Sequence, residues 1–170
     1  EDSFRTQIAF GTGGIRGKMG PGPNRINSRT LGEATQGLAR HILNEVGQKQ
    51  IECGVDIAND TRVNSDRFAR DTATIIAANG ITAHLFDGPR STPELSFAVR
   101  KLNAVAGIVI SASHNPPQDN GFKAYWSDGA QVVPPHDAAI IAQAEAVTHI
   151  RRLDYDKAID KGLIMPLGKE

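Results

Sequence analysis

The seven residues Ala104-Val105-Ala106-Gly107-Ile108-Val109-Ile110 are all small or β-branched, and none carries a charge. A run of this length suits a strand buried on both faces, as in a parallel sheet, and such a sheet needs helices to cover it. Polar chemistry begins where the run stops. Ser111-Ala112-Ser113-His114-Asn115-Pro116 follows directly, and Pro117, Asp119, Asn120 and Gly121 behind it are expected to prolong neither strand nor helix. Two hydroxyls and an imidazole therefore belong on a turning loop at the carboxyl end of a buried strand, where open α/β sheets bind ligands.

The rest of the chain supplies the expected cover. From Asn27 and Ser28 onward, Leu31, Ala34, Leu38, Ala39, Ile42, Leu43 and Val46 mark one face of a helix, with Thr30 and Glu33 as a capping box and Gly47 as a stop. Residues 54–58 read as a short strand, 59–65 as a polar loop, 65–79 as an amphipathic helix and 81–86 as a strand whose His84 is structural. Thr92 as N-cap and Pro93 in the first helical position open a helix to about Leu102. Residues 123–126 read as a returning strand joined hairpin-fashion to 131–133, and Pro134 to Asp137 start a last helix along Ile140, Ile141, Ala144 and Val147. Three strand–loop–helix units and one strand of reversed pairing predict an α/β fold, a three-layer α/β/α sandwich on a small mixed, mostly parallel sheet. This domain is expected over residues 1–150. Residues 151–170 hold too few apolar side chains for a core of their own and read as a linker toward an absent second domain.

Composition narrows the function. Nineteen basic and nineteen acidic residues give a formal net charge of zero, so neither a nucleic-acid partner nor a polybasic membrane attachment is expected. The single Cys53 can build neither an internal disulfide nor a thiolate metal site and reads as a core residue. The absence of a long apolar run or a signal-peptide pattern makes the cytoplasm the default location.

Six of the seventeen glycines fall within residues 8–22, around Arg16. The stretch fits neither the dinucleotide pattern, which needs glycine where Arg16 stands, nor the P-loop, which needs glycine at Thr12 and a hydroxyl residue at Met19. It reads as a flexible loop whose arginine either clamps an anion in a bidentate fashion or is simply solvated. A doubly wound topology would gather the loops around Arg16, Arg62, Thr92 and Ser113 at one rim. There Ser113 is a candidate nucleophile, with Arg16, His114 and Lys123 able to neutralise a phosphoryl group on it. A Ser-His-Asp hydrolase fits less well, since no G-x-S-x-G elbow is present, while ordinary turn chemistry stays open.

Phe10-Gly11-Thr12-Gly13-Gly14-Ile15-Arg16-Gly17, together with residues 111–116 and Asn120-Gly121-Phe122-Lys123, resembles the first domain of the phosphoglucomutase/phosphomannomutase (α-D-phosphohexomutase) superfamily. The resemblance takes in Asp60-Thr61-Arg62 and Thr92-Pro93 and covers nearly the whole chain. It implies that Ser113 is the residue phosphorylated, that Arg16 and Lys123 contact the phosphoserine, that Lys123 takes part in proton transfer, and that His114 is the adjacent active-site histidine. Further phosphate or substrate contacts are then expected from Thr12, Gly13, Arg62 and Asn115. The implied reaction interconverts hexose 1-phosphate and 6-phosphate through a hexose 1,6-bisphosphate, which also acts as activator. The implied metal is Mg²⁺, bound through the Ser113 phosphate and an Asp-x-Asp-x-Asp loop that this chain lacks. The chain is thus expected to be one domain of four, inactive alone, with its partners in the missing domains. Residues 125–131 and 134–137 are more like phosphoglucomutases and phosphopentomutases than the short bacterial phosphomannomutase or glucosamine mutase branches, with phosphomannomutase or phosphopentomutase specificity as the alternative to a phosphoglucomutase. A non-catalytic phosphosugar- or anion-binding module on the same fold is the competing expectation.

Overall fold

The buried run becomes an interior strand, with the other elements arranged on either side of it. The computed structural model describes residues 2–11 and 13–168. In chain order the elements are α1 (Asp2–Arg5), β1 (Gly14–Lys18), α2 (Ser28–Glu45), α3 (Gln48–Ile51), β2 (Val55–Asn59), α4 (Ser65–Ala78), β3 (Ala83–Phe86), α5 (Thr92–Leu102), β4 (Ala106–Ile110), β5 (Asp119–Trp126), α6 (His136–Glu145), α7 (Tyr155–Asp160) and β6 (Ile164–Leu167). The strands form one sheet in the order β1-β5-β4-β2-β3-β6. Three pairings are parallel, and β5 runs against both of its neighbours, so it alone is reversed. The result is the α/β/α sandwich with a mixed sheet that the sequence predicts.

Every residue of β2 and β4 is buried. On one face Leu38 and Ile42 of α2 and Phe68 and Ile76 of α4 pack with Ile57, Ile108 and Phe122 of the sheet. On the other face Leu95 and Val99 of α5 pack with Ala58, Val109 and Tyr125. Helices α6 and α7 add to the first layer by packing on α2 and α4. His84 is structural as expected, its Nδ1 lying 2.9 Å from Oδ1 of the fully buried Asp56. Cys53 is partly buried against the larger core.

Four expectations need correction. Residues 14–18 are a strand rather than part of a flexible loop, and β5 starts at Asp119, four residues before the expected position. The glycines that weaken strand propensity here are what let the two backbones meet. A Cβ at Gly14 would fall 1.9 Å from the Phe122 carbonyl oxygen, and one at Gly121 would fall 2.6 Å from that of Ile15. Second, residues 131–133 add no strand; only an isolated bridge joins Gln131 to Tyr125.

The third correction concerns caps. Asn27 caps α2, accepting from the N–H groups of Arg29 and Thr30, while Thr30 returns the bond to Asn27; Glu33 instead pairs with Arg29. Ser91, not Thr92, caps α5, in a reciprocal box with Glu94. Fourth, the described part of the expected linker, residues 151–168, is not simply a linker. Their few apolar side chains insert into the existing core, with Ala158 and Ile164 buried, and β6 pairs parallel with β3. A short segment can extend a core without the residues needed to build one.

Candidate active site

The loop between β4 and β5 turns sharply at Ser113, whose φ of 57° is one of three left-handed non-glycine conformations among the described residues. The two serines have separate fates. Ser111 is buried, and its Oγ accepts a 2.9 Å hydrogen bond from the Ser113 N–H. Ser113 is exposed, with its Oγ 3.3 Å from His114 Nδ1. The sharp turn lifts one hydroxyl toward solvent while the other braces it.

Cations reach this loop from the β1–β5 pair. Arg16 pairs with Gly121 and Lys123 with Gly14, so each faces a residue without a side chain, and the register sets them diagonally on one face of the sheet. Arg16 Nη1 donates to Asn115 Oδ1 at 3.3 Å. Burial is the main cause that lowers the Lys123 pKa from its ordinary value; the positive charge of Arg16 lowers it further, and Asp60 opposes both. A partly desolvated lysine beside an arginine is suited to anion binding and to releasing a proton.

Other expected contact residues are engaged in hydrogen bonds within the protein. Asn115 has both ends of its amide engaged, since its Nδ2 donates to Asp119 Oδ2 at 2.9 Å while its Oδ1 receives Arg16. Arg62 turns toward the loop backbone. Its Nη1 donates to the Pro116 and Asp119 carbonyls at 2.8 and 3.2 Å, its Nη2 to those of Ser113 and Asn115 at 2.8 and 2.7 Å, and its Nε lies 3.2 Å from Asp60 Oδ2. Gly13, at φ 75°, accepts from the Ala124 N–H and so shapes the approach to Lys123. Thr12 lies outside the described residues.

A cleft of about 450 Å³ opens at the loop, lined among others by Asp60, Arg62, Arg90, Thr92, Ser111 and Ser113. Asp60 falls within the stretch that carries the family resemblance but has no role assigned from the sequence, and Arg90 is not among the expected residues. The signal for Asp60 was its place two residues before Arg62: its Oδ1 accepts the Arg62 N–H at 2.9 Å in an Asx turn and also receives Ser65 Oγ at 2.7 Å. Arg90 is drawn away by Asp87 at 2.7 Å and lies over the Phe86 ring.

Mg²⁺ is poorly served by this set. A phosphate on Ser113 would offer oxygen, but Asp60 is committed to Arg62 and Ser65, and no three acidic, histidine or cysteine groups converge on a cation position among the described residues. A hard cation that wants about six oxygens needs ligands from elsewhere.

Residues 7–151 match the family model described as phosphoglucomutase/phosphomannomutase, alpha/beta/alpha domain I. The chain is 42% identical over 143 residues to the phosphopentomutase of Homo sapiens, covering 81% of this chain and 23% of that protein. It is 39% identical over 170 residues to the phosphoglucomutase of Staphylococcus saprophyticus, covering 98% of this chain and 30% of that protein. The crystal structure of a protein assigned as a phosphomannomutase from Thermus thermophilus superposes with a TM-score of 0.79 at 33% identity, over 96% of this chain and 33% of that one. The chain therefore spans about a quarter to a third of the length of these relatives. A sheet with one reversed strand, an exposed serine on the loop leading into that strand, and a family match over the same residues lead to one conclusion: the chain belongs to the phosphoglucomutase/phosphomannomutase family, of which it carries domain I.

Proposed function

We propose that this chain is the catalytic-serine domain of a phosphohexomutase, and that Ser113 carries the phosphoryl group. The observation that supports this most directly is the exposed, left-handed Ser113, its Oγ 3.3 Å from His114, on a loop that Arg16 also contacts through Asn115. Phosphoryl transfer asks a protein mainly for positioning and charge neutralisation. In the first half-reaction, the bond from phosphorus to Ser113 Oγ breaks as a bond forms to the free hydroxyl of a hexose 1-phosphate, and the proton that hydroxyl loses is balanced by the one the Ser113 oxygen takes up. Lys123, with its lowered pKa, is suited to relay that proton between the two oxygens, and Arg16 to balance charge on the moving phosphoryl group. The resulting 1,6-bisphosphate turns over in the site and returns its other phosphoryl group to Ser113. Free hexose 1,6-bisphosphate charges an unphosphorylated enzyme by this second step.

The remaining sugar, phosphate and metal contacts come, in this reading, from other domains of the same polypeptide, so the isolated domain is inactive. The relatives are named phosphoglucomutase and phosphopentomutase, which supports a glucose-phosphate preference with a pentose phosphate as the alternative. No helix among the described residues is long and apolar enough to cross a membrane, and phosphosugar substrates fit a cytoplasmic enzyme.

Intact-mass analysis of the complete protein after treatment with glucose 1,6-bisphosphate should show one added phosphate, mapping to Ser113. Ser113→Ala should neither gain the mass nor interconvert glucose phosphates. Full turnover by that variant would sink the reading, and phosphosugar binding without phosphorylation or turnover would favour a non-catalytic module.

A further inference from the structure

We infer that Arg62 is a positioning residue for phosphoryl transfer, which holds Ser113 in its left-handed conformation through the loop backbone and does not itself contact the phosphosugar. The inference rests on the mutase reading of Ser113. It departs from the expectation that Arg62 binds phosphate, because the guanidinium has no N–H left to offer. Four donors go to the carbonyls of Ser113, Asn115, Pro116 and Asp119, and the fifth faces Asp60 at 3.2 Å. The side chain is only 14% exposed. Asp60 is itself fixed by Ser65 Oγ and by the Arg62 N–H, so the fork is aimed from the start of α4 before any ligand arrives.

The loop needs such a group. A left-handed serine and two consecutive prolines interrupt regular pairing, and carbonyls spread over residues 113–119 converge on one point. A planar cation with five fixed donors can satisfy them together. Lysine, a point charge with three donors on a flexible stem, cannot bridge both sides of the turn. Without the fork the Ser113 Oγ is free to shift, and a displacement of about 1 Å at a reacting atom costs about 10²-fold in rate.

The test uses the complete protein and the variants Arg62→Lys and Arg62→Ala. Both are expected to lose about 10²-fold in kcat with glucose 1-phosphate while KM stays within about threefold. Amide hydrogen exchange over residues 111–120 should rise about tenfold or more, with residues 28–45 unchanged. Turnover of Arg62→Lys within about threefold of wild type overturns the inference, since a charge alone would then suffice. So does a rise in KM with kcat retained, which would make Arg62 a phosphate ligand. Unchanged exchange at 111–120, or a general rise that includes 28–45, also overturns it, the latter by giving Arg62 a role in global folding. Ser113→Ala separates the two readings. If that variant keeps full turnover the mutase reading fails, whereas an active Arg62→Ala beside an inactive Ser113→Ala removes Arg62 alone.

Discussion

Lys123 bears a charge where the fold disfavours it. Burial lowers its pKa first, the charge of Arg16 second, and Asp60 recovers part of the loss. Between the lowered folded value and the ordinary 10.5, the unfolded chain binds more protons than the folded one, so stability rises with pH through that window. Below the lowered folded value, where Lys123 is charged in both states, the penalty is carried in full. Lys123→Met should therefore melt higher than the unphosphorylated wild type, by about 2–4 °C for each kcal/mol recovered, while its mutase turnover collapses. Phosphate on Ser113 should raise the wild-type melting temperature more than that of Lys123→Met, because only the wild type offers it the lysine. Calorimetry on phosphorylated and unphosphorylated forms checks both statements, and a Met variant that melts below wild type would remove the charge penalty. Residue types at this site were legible in the sequence, but the use of each donor was not. Arg62 and Asn115 have the chemistry of phosphate ligands, yet folding directs their groups to carbonyls, to Asp119 and to Arg16. Likewise, spacing cannot separate Ser111 from Ser113, whereas burial and a positive φ do.

Helices were the most legible elements, because burial of one face imposes a period on the sequence. Strand β1 is hidden in the sequence because its glycines, required for close approach to β5, are the residues that lower strand propensity. The contact between α2 and α6 is equally hidden in the sequence, and it brings two histidines together. A Cβ on Gly37 would fall 2.6 Å from the Ala144 backbone nitrogen, so the helices touch almost backbone to backbone. Beside this contact His41 Nε2 and His136 Nδ1 share a 2.9 Å hydrogen bond, and His136 stacks on Trp126 at 4.3 Å. Burial lowers the His41 pKa from 6.5 against the opposing charge of Glu45, and His136 lowers it further. The unfolded chain therefore takes up the proton first as pH falls below 6.5, and the stability that neutral His41 contributes is lost toward its lowered folded value. Thermal melts between about pH 7.5 and about pH 5 should show stability falling with acid, and His41→Gln should flatten that fall. An identical pH slope in the variant would assign the acid sensitivity to other groups.

The whole molecule shows how an edge can be sealed by a segment too poor in apolar residues to look structural. The family match stops at residue 151, yet α7 and β6 lie beyond it and complete the sheet on the side away from the serine loop. Without β6, β3 would present an unpaired row of N–H and C=O groups, the arrangement that invites intermolecular strand pairing. The seal also has a core. Ile164 is 1% exposed, Ala158 is fully buried, and Tyr155, Ile159 and Leu163 pack against the same cluster. Burying one such isoleucine contributes about 1.5–3 kcal/mol, or roughly 3–12 °C of melting temperature in a chain of this size. A tail that served only as a linker would be removable without effect. The two possibilities separate when the 170-residue chain is compared with one ended at residue 151 by size-exclusion chromatography and thermal melting. The shortened chain should melt at least about 5 °C lower and elute in part as higher oligomers paired through β3. Equal melting temperature and elution would return residues 152–170 to the role of a tether, and would place the boundary of the folding unit at the end of the family match.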